Sequence, residues 1–377
     1  MEAKNRSRLI DKPSVQTLIA SFLCILGGLL IGYLALLIIN PRGASRAILD
    51  VLANFWTYSK TTAQMKYFGS TLVKTAPLLM CSLSILFAYK VGLFNIGAAG
   101  QYVVGAGASL YAALAWNLPW WLCMLLALAA GALWGVFSGA LKAYANVNEV
   151  ISCIMLNWIG LYLVNMLLTT VKDPASPYTL TLTKVNPGGK IPSMGLDALF
   201  TKNKNVTIAI PLAIIIAVIC WVIINKTKLG YELRATGLNK HAAKYCGMRE
   251  KTNIILSMAI AGALAGLGAA MLYLTGFEEW QCTQSSVPGM GFNGIAAAFL
   301  GGLSPIGSIF SSYFIQHITA GGAYVDKTMY CSQISDFISS VIIYLCGFVM
   351  FFRLFMGKWI KTRREAAEAK KSGKEVD

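Results

Sequence analysis

Two short segments set chemically capable residues into otherwise apolar sequence. The first, Lys90-Val-Gly-Leu-Phe-Asn-Ile-Gly-Ala-Ala-Gly-Gln101, places three glycines, an asparagine and a glutamine between two apolar runs. The second, Gly289-Met-Gly-Phe-Asn-Gly-Ile-Ala-Ala297, repeats the glycine-rich Phe-Asn signature, with Phe292-Asn293 echoing Phe94-Asn95. Glycine releases the backbone from helical geometry, and unwound backbone at membrane depth persists only against protein or a wet cavity. The amides of Asn95, Gln101, Asn157, Asn165 and Asn293 can hydrogen-bond a base edge or ribose hydroxyls. Phe94, Trp158 and Phe292 offer faces on which a base stacks, an interaction worth roughly 1–3 kcal/mol. The candidate solute pathway is therefore Phe94, Asn95, Gln101, Asn157, Phe292 and Asn293. The competing reading of each amide is a hydrogen bond that holds helices together.

Other chemistry is poorly supplied. His241 and His317 stand without an H-E-x-x-H or a paired-aspartate neighbourhood, and nine cysteines are scattered singly with no C-x-x-C, so no metal site or disulfide framework is indicated. Lys74, Lys90, Glu149 and Asp336 each fall near the end of an apolar run, where they can snorkel or meet water, so a proton or sodium relay at mid-membrane is not evident. The chain carries no G-x-x-x-x-G-K-[ST] phosphate loop. The expectation is a non-enzyme without a cofactor of its own.

The elements that must position these residues are membrane helices. The 377 residues are 56% apolar and 13% charged, with a mean hydropathy of +0.61, so the bilayer is the solvent. Several runs exceed the roughly 18 residues that cross about 30 Å of hydrocarbon. Spans are predicted at Thr17–Asn40, Ser70–Tyr89, Gly97–Trp116, Leu118–Leu141, Glu149–Val171, Val206–Asn225, Asn253–Gly276 and Gln333–Leu354. The net charge of +16 suggests nucleic acid at first sight, but the basic residues lie at the N-terminus, in one central loop and in the tail, a pattern that reads as topology with no nucleic-acid partner. Residues 1–16, the loop 226–252 and the tail 356–377 are thereby placed in the cytoplasm, flanking and interrupting a transmembrane domain over 17–355. The run from Thr17 is longer than a signal peptide's apolar region and lacks an A-x-A site, so it is expected to be a retained helix.

Parity then requires the Gly-rich stretch Gly291–Ala323 to begin and end on the outer side. A hairpin turning near Leu303, Ser304 and Pro305 satisfies this, its first arm being only about 18 Å long and unable to span. The expected fold class is all-α: a polytopic membrane protein of about ten transmembrane helices. The first Phe-Asn segment follows a span running inward and the second a span running outward, which implies two inverted, broken-helix repeats; paired Gly-interrupted segments of this kind point to a translocation site. The outer loop 172–205, rich in proline and carrying five lysines against the positive-inside trend, has no strong helical pattern and either caps the pathway mouth, docks an external partner or is plain ordered surface. In the loop 226–252, Asn239 can cap a short helix stopped by Gly247. Its Ala242, Ala243 and Tyr245 beside Lys240 and Lys244 fit either a groove in a partner or the surface of the lipid bilayer.

Four stretches, Gly92–Gln101, Val147–Asn157, Leu233–Gly247 and Gly289–Gly307, occur in the order found in the permeases of ribose and nucleoside ABC importers, and the chain resembles that family's nucleoside branch over roughly residues 68–355. It departs from the pattern at Ala99, where an acidic residue is usual, and at Lys244, where arginine is common. The resemblance implies import of nucleosides, or of a related ribose-containing solute or simple sugar, across a bacterial cytoplasmic membrane. It implies that Asn239, Lys240, Ala242, Ala243, Lys244, Tyr245 and Gly247 form a helix that couples to a cytoplasmic ABC ATPase, which binds ATP and Mg. It also implies a second permease subunit, a non-identical paralogue, and an external substrate-binding lipoprotein. The rival reading from the residues is a cation-coupled secondary nucleoside transporter, also built from inverted repeats.

Overall fold

The computed structural model describes residues 13–331, 333–349, 351, 352, 354–359 and 362. The expected N-terminal segment 1–16 lies outside the described residues as far as residue 12, as does the tail 356–377 from residue 363. The architecture is all-helical. Its principal helices are α1 (Pro13–Ile39), α2 (Ala44–Ala53), α3 (Thr61–Lys90), α4 (Ala98–Leu114), α5 (Trp120–Ala145), α6 (Glu149–Leu168), α7 (Ala209–Lys226), α8 (Lys228–Leu238), α9 (Lys240–Tyr245), α10 (Glu250–Tyr273), α11 (Met290–Leu300), α12 (Pro305–Gly321) and α13 (Ile334–Cys346). Among the described residues the only β pairings are two isolated bridges, Lys172–Thr179 and Tyr178–Gln281. Among the described residues six helices are long and apolar enough to cross a membrane: α1, α3, α5, α6 with its short extension, α7 and α10. The remaining four predicted membrane segments are the shorter α4, α11, α12 and α13. The protein is a multi-pass membrane protein.

Local sequence explains where these helices start and stop. The Asn148 side chain accepts from the backbone N–H groups of Val150 and Ile151, capping α6. Asn146, at φ +50°, ends α5 in the left-handed region. Pro305 sits in the first turn of α12, where its missing N–H costs nothing. Helix α3 begins at Thr61, well before the apolar run at Ser70, because a soluble-looking turn of Thr, Gln and Lys still completes backbone hydrogen bonds at the end of a long helix. Helix α2 was not predicted from hydropathy; its apolar residues occupy one face only.

Two units divide the chain, one formed by Met1–Leu49 with Val325–Asp377, the other by Asp50–Tyr324. In the first, α1 packs on α13 through small residues: a Cβ at Gly32 would meet the Ile338 side chain at 2.7 Å, and one at Gly28 would press on Ile342. The Tyr330 hydroxyl donates to the Asn40 carbonyl.

The second unit is built around α10. Helix α5 crosses it antiparallel, with Gly131 against Gly262 and Gly266, Gly135 against Met258 and Gly139 against Ile255 and Met258. Gly105 of α4 meets Gly266 from another side. A Cβ at Gly131, Gly135 or Gly105 would enter the facing backbone, so glycine alone allows these helices to close. Such contact matters in lipid, where the tails are as apolar as leucine and helix association relies on close packing. Helix α3 also runs antiparallel to α10: the Ser257 hydroxyl donates to the Phe87 carbonyl (2.9 Å), and Gly268 faces Pro77 and Met80.

The segment 172–205 contains two single helical turns, Leu182–Val185 and Leu196–Leu199, where no helix was expected. It is stapled down. Asn186 Nδ2 donates to the carbonyls of Ala113 and Leu118 (both 2.9 Å), Asn203 Nδ2 to Lys66 O (2.8 Å), and Ile191 N to Leu274 O (2.9 Å).

Candidate functional site

Helix α3 ends in a turn that reverses the chain. Gly92, at φ +79°, donates to Tyr89 O (3.0 Å) and Leu93 donates to Ala88 O (3.1 Å), the paired bonds of a Schellman stop. The chain then climbs back along α3 in extended form. Asn95 Nδ2 donates to Ser84 Oγ (3.2 Å) and to Gln101 Oε1 (2.9 Å). Ser84 lies about 9 Å back from Lys90 along the helix, so α4 opens beside the body of α3 rather than at its tip. At 17 residues α4 is about 25 Å long, shorter than the roughly 30 Å of hydrocarbon.

The open end of α4 has no cap of its own, since Gly97 carries no side chain. Asn157 of α6 supplies one: its Oδ1 accepts from Gly100 N (2.8 Å) and its Nδ2 donates to Ile96 O (3.2 Å). A Cβ at Gly100 would stand 2.6 Å from that Oδ1, so the glycine makes room for the amide. Asn95, Gln101 and Asn157 are all buried and committed to this support. The structure thus uses these three predicted pathway residues to hold the first break in shape. Phe94 is half-buried and lines an open cavity of about 480 Å³ with Tyr89, Leu93, Glu149, Arg234 and Gly237.

The second break is the longer of the two. After α10, the chain passes Gly276 (φ +71°) and residues 277–289 before α11 starts. Gly291 rests on Ala99, and Gly294 on Cys81 and Ser82, so the first turns of α4 and α11 touch. Phe292 is 38% exposed, and Asn293 is half-buried with no side-chain hydrogen bond among the described residues. Helix α11 closes with the same stop as α3: Gly302 donates to Phe299 O and Leu303 to Ala298 O, both at 2.9 Å. The turn between α11 and α12 occupies Gly301–Ser304, next to the expected Leu303, Ser304 and Pro305. Phe299 lies 5.5 Å from Tyr89 and 6.4 Å from Phe94, ring centre to ring centre, which brings the end of α11 beside the first break.

Asn165 and Trp158 part company here. Asn165 accepts from Trp280 Nε1 (2.9 Å) and donates to Gln284 O (2.8 Å), pinning the chain before α11, whereas Trp158 stacks on Tyr162 on an exposed face of α6. A polar cavity of about 510 Å³ lies over the same stretch, lined by Tyr178, Tyr273, Glu278, Gln281, Thr283 and Gln284 among others. Hydropathy did not reveal it, because its polar atoms come from a loop.

The loop 226–252 forms a two-helix arm. Asn239 Oδ1 accepts from His241 N and Ala242 N, both at 3.0 Å, capping α9. Gly247, at φ +80°, ends it, with Met248 N donating to Ala243 O (3.0 Å). Both were predicted from sequence; helix α8, which carries α9, was not. Lys240, Ala242, Lys244 and Tyr245 are exposed, Tyr245 at 94%, while Ala243 is buried against the arm itself. Asn253 Nδ2 donates to Thr236 Oγ1 (2.9 Å), tying the arm to α10.

Removing the Asn157 amide leaves the Gly100 N–H and the Ile96 carbonyl without their partner, at about 1–3 kcal/mol per buried group. Asn157→Ala is accordingly expected to lower the unfolding temperature of detergent-purified protein by several degrees. An unchanged temperature would show that α4 needs no cap from α6.

Residues 67–347 match the family described as branched-chain amino acid transport system / permease component. The chain belongs to this permease family. The permease is 35% identical over 300 residues to the guanosine ABC transporter permease protein NupP of Bacillus subtilis, covering 78% of this chain and 85% of NupP. It is 33% identical to the nucleoside ABC transporter permease protein NupB of Lactococcus lactis, over 81% and 86% of the two chains. It is 31% identical to the glucose ABC transporter permease protein TsgB13 of Haloferax volcanii, over 69% and 70%. No solved structure matches the permease. These relatives are transport components of ABC systems, which sets aside the cation-coupled carrier.

Proposed function

We propose that this permease carries a nucleoside, or a related ribose-containing solute or simple sugar, into the cytoplasm by alternating access powered by a separate ABC ATPase. The observation that supports this most directly is the meeting of the two breaks. Helices α3 and α10 run antiparallel, each is followed by non-helical chain and a shortened helix, and the first turns of α4 and α11 touch at Ala99 and Gly291. Two halves of opposite direction joined at such a point are the arrangement expected of inverted repeats around a solute path. In this reading about ten helices contribute to the membrane domain, with both termini and the arm on the cytoplasmic side of a bacterial cytoplasmic membrane and residues 172–205 outside.

The cargo assignment draws on the guanosine and nucleoside names of two relatives, against glucose in the third. Phe94, Phe292 and Asn293 are the pathway residues with unused surface, and two ring faces with one amide suit a base better than a bare hexose. Weak binding suffices here, because an external lipoprotein would supply affinity. ATP and Mg would be held by the ATPase, whose groove receives α9, and a second, non-identical permease would complete the path.

The test is uptake of radiolabelled guanosine and glucose by proteoliposomes holding the complete complex. Guanosine uptake should require hydrolysable ATP and withstand ionophores. Uptake that continues with a non-hydrolysable analogue would overturn the mechanism, and glucose uptake alone would overturn the nucleoside in favour of a simple sugar.

A further inference from the structure

Between the arm and the two breaks lies a contact of backbone on backbone. A Cβ at Gly237, near the end of α8, would run into the Lys90 carbonyl and stand 2.9 Å from the Val91 carbonyl carbon and 3.0 Å from Gly92 N. From the other side, a Cβ at Gly92 would lie 3.4 Å from Gly237 O. Gly92 also holds the left-handed turn that starts the first break, so it serves both the turn and the contact. The contact is narrow. One cavity of about 570 Å³, lined by Val91, Leu93, Lys142, Gly237 and Asn239 among others, opens on one side; the 480 Å³ cavity that holds Phe94 and Arg234 opens on another. Space flanks the contact on both sides, while Leu233 and the Thr236–Asn253 bond keep the arm seated on α10.

From this contact a single side chain reaches the far end of α11, the helix that follows the second break. Lys90, the last residue of α3, donates from Nζ to Leu303 O (3.1 Å), the carbonyl at the turn between α11 and α12. Leu303 itself sits at φ +53°, a strained value for leucine, inside the stop that ends α11. A cation is well placed there, since the end of a helix concentrates partial negative charge. The Lys90 ammonium therefore spans the ends of two helices from opposite halves of the permease. The first-break turn, the arm and the hairpin turn meet within three residues, Lys90, Val91 and Gly92.

We infer that Lys90 and the Gly92–Gly237 contact form a joint that makes both breaks move together when the arm moves. This rests on the proposal that α9 engages the ATPase. Lys90 acts here as a positioning residue and does not touch the solute. Motion of α8 presses on the turn at Gly92, and the Lys90 bond carries the same displacement to Leu303 and hence to α11. Without the bond, the arm still follows the ATPase, but α11 is left to its contacts at Gly291 and Gly294 and its hairpin end no longer follows.

The experiment compares complete complexes carrying Lys90→Met and Lys90→Arg in proteoliposomes. Lys90→Met keeps the length of the side chain and removes the donor. It should cut ATP-driven uptake at least tenfold while ATP hydrolysis stays within twofold of the parent, and Lys90→Arg, which restores a cationic donor, should recover at least half of the uptake. Parental uptake by Lys90→Met, or an arginine variant as inactive as the methionine one, would overturn the joint. Loss of complex assembly in Lys90→Met would overturn it too, by showing a role in folding instead. Ala242→Glu on α9 separates the two ideas: if that complex transports normally, the engagement of α9 is wrong, whereas its failure alongside a normal Lys90→Met complex condemns the joint alone.

Discussion

Gly135→Leu is expected to yield no folded permease. The Gly135 Cα lies so close to the Met258 carbonyl that even the first carbon of a side chain would enter it, with the Met258 carbonyl carbon at 2.8 Å and the Ala259 Cα at 3.3 Å. These are main-chain atoms inside α10, and no rotamer change can move them aside. Overpacking between flexible side chains costs about 1–3 kcal/mol; here two central helices must separate. The same displacement would break the contacts one turn away on each side, Gly131 with Gly262 and Gly139 with Ile255. Against a total stability on the order of 5–15 kcal/mol, the seam cannot absorb the loss. Size-exclusion profiles of detergent-extracted protein read the outcome directly: aggregate in place of a monodisperse peak. Gly289→Ala is the control, since a Cβ there meets nothing within 4 Å. A monodisperse Gly135→Leu protein with parental unfolding temperature would mean that α5 and α10 do not pack through this seam.

That seam is written in the sequence as glycines four apart, Gly131, Gly135 and Gly139 on one helix and Gly262 and Gly266 on another. Spacing of this kind marks one helix face as small, but it does not name the partner. Hydropathy was sufficient for six of the spans, each set by a single quantity, an apolar run long enough for the bilayer, whereas the runs Gly97–Trp116 and Gln333–Leu354 fall on shorter helices. The hairpin at Gly301–Ser304 was legible for a different reason: parity of charge placement forced an even crossing, and Pro305 marked where the second arm begins. Helices α2 and α8 escaped notice because a helix that is apolar on one face only resembles loop to a hydropathy window.

For the candidate site, the place of the two segments in the fold was legible and the contacts of their side chains were not. Both Phe-Asn segments were located, and the structure brings them together. What residue types could not tell was the direction of each amide. Asn95, Gln101 and Asn157 turn inward to support the end of a helix with no cap, a task created by the break itself and set by tertiary contact with α6. Asn293 has the same type and a similar neighbourhood in sequence, yet its side chain is unused. Lys90 was read as a basic residue at a helix end, able to reach water; only the fold shows that a carbonyl 213 residues away lies within its reach.

The second large effect is expected at α9, where folding and function should come apart. Ala242 is exposed, and the cap bond at this position uses its backbone N–H, so the side chain is free to change. It stands three residues after Asn239, in the first turn of α9, where the helix dipole favours a negative charge; the Asn239 N–H itself already donates to Ala235 O (3.1 Å). Ala242→Glu should therefore leave the arm intact or firmer, with an unchanged or slightly raised unfolding temperature. A partner groove shaped for a methyl group would nonetheless meet a longer, charged side chain. Uptake by the complete complex should fall by about two orders of magnitude, a loss of roughly 2.7 kcal/mol in productive engagement, and solute should no longer stimulate ATP hydrolysis. Ala243→Leu provides the contrast: that methyl is buried against the arm, so leucine there should lower the unfolding temperature along with uptake. Parental uptake in Ala242→Glu would place the ATPase contact elsewhere on the permease, whereas a stable protein that cannot transport would locate it on the face bearing Ala242.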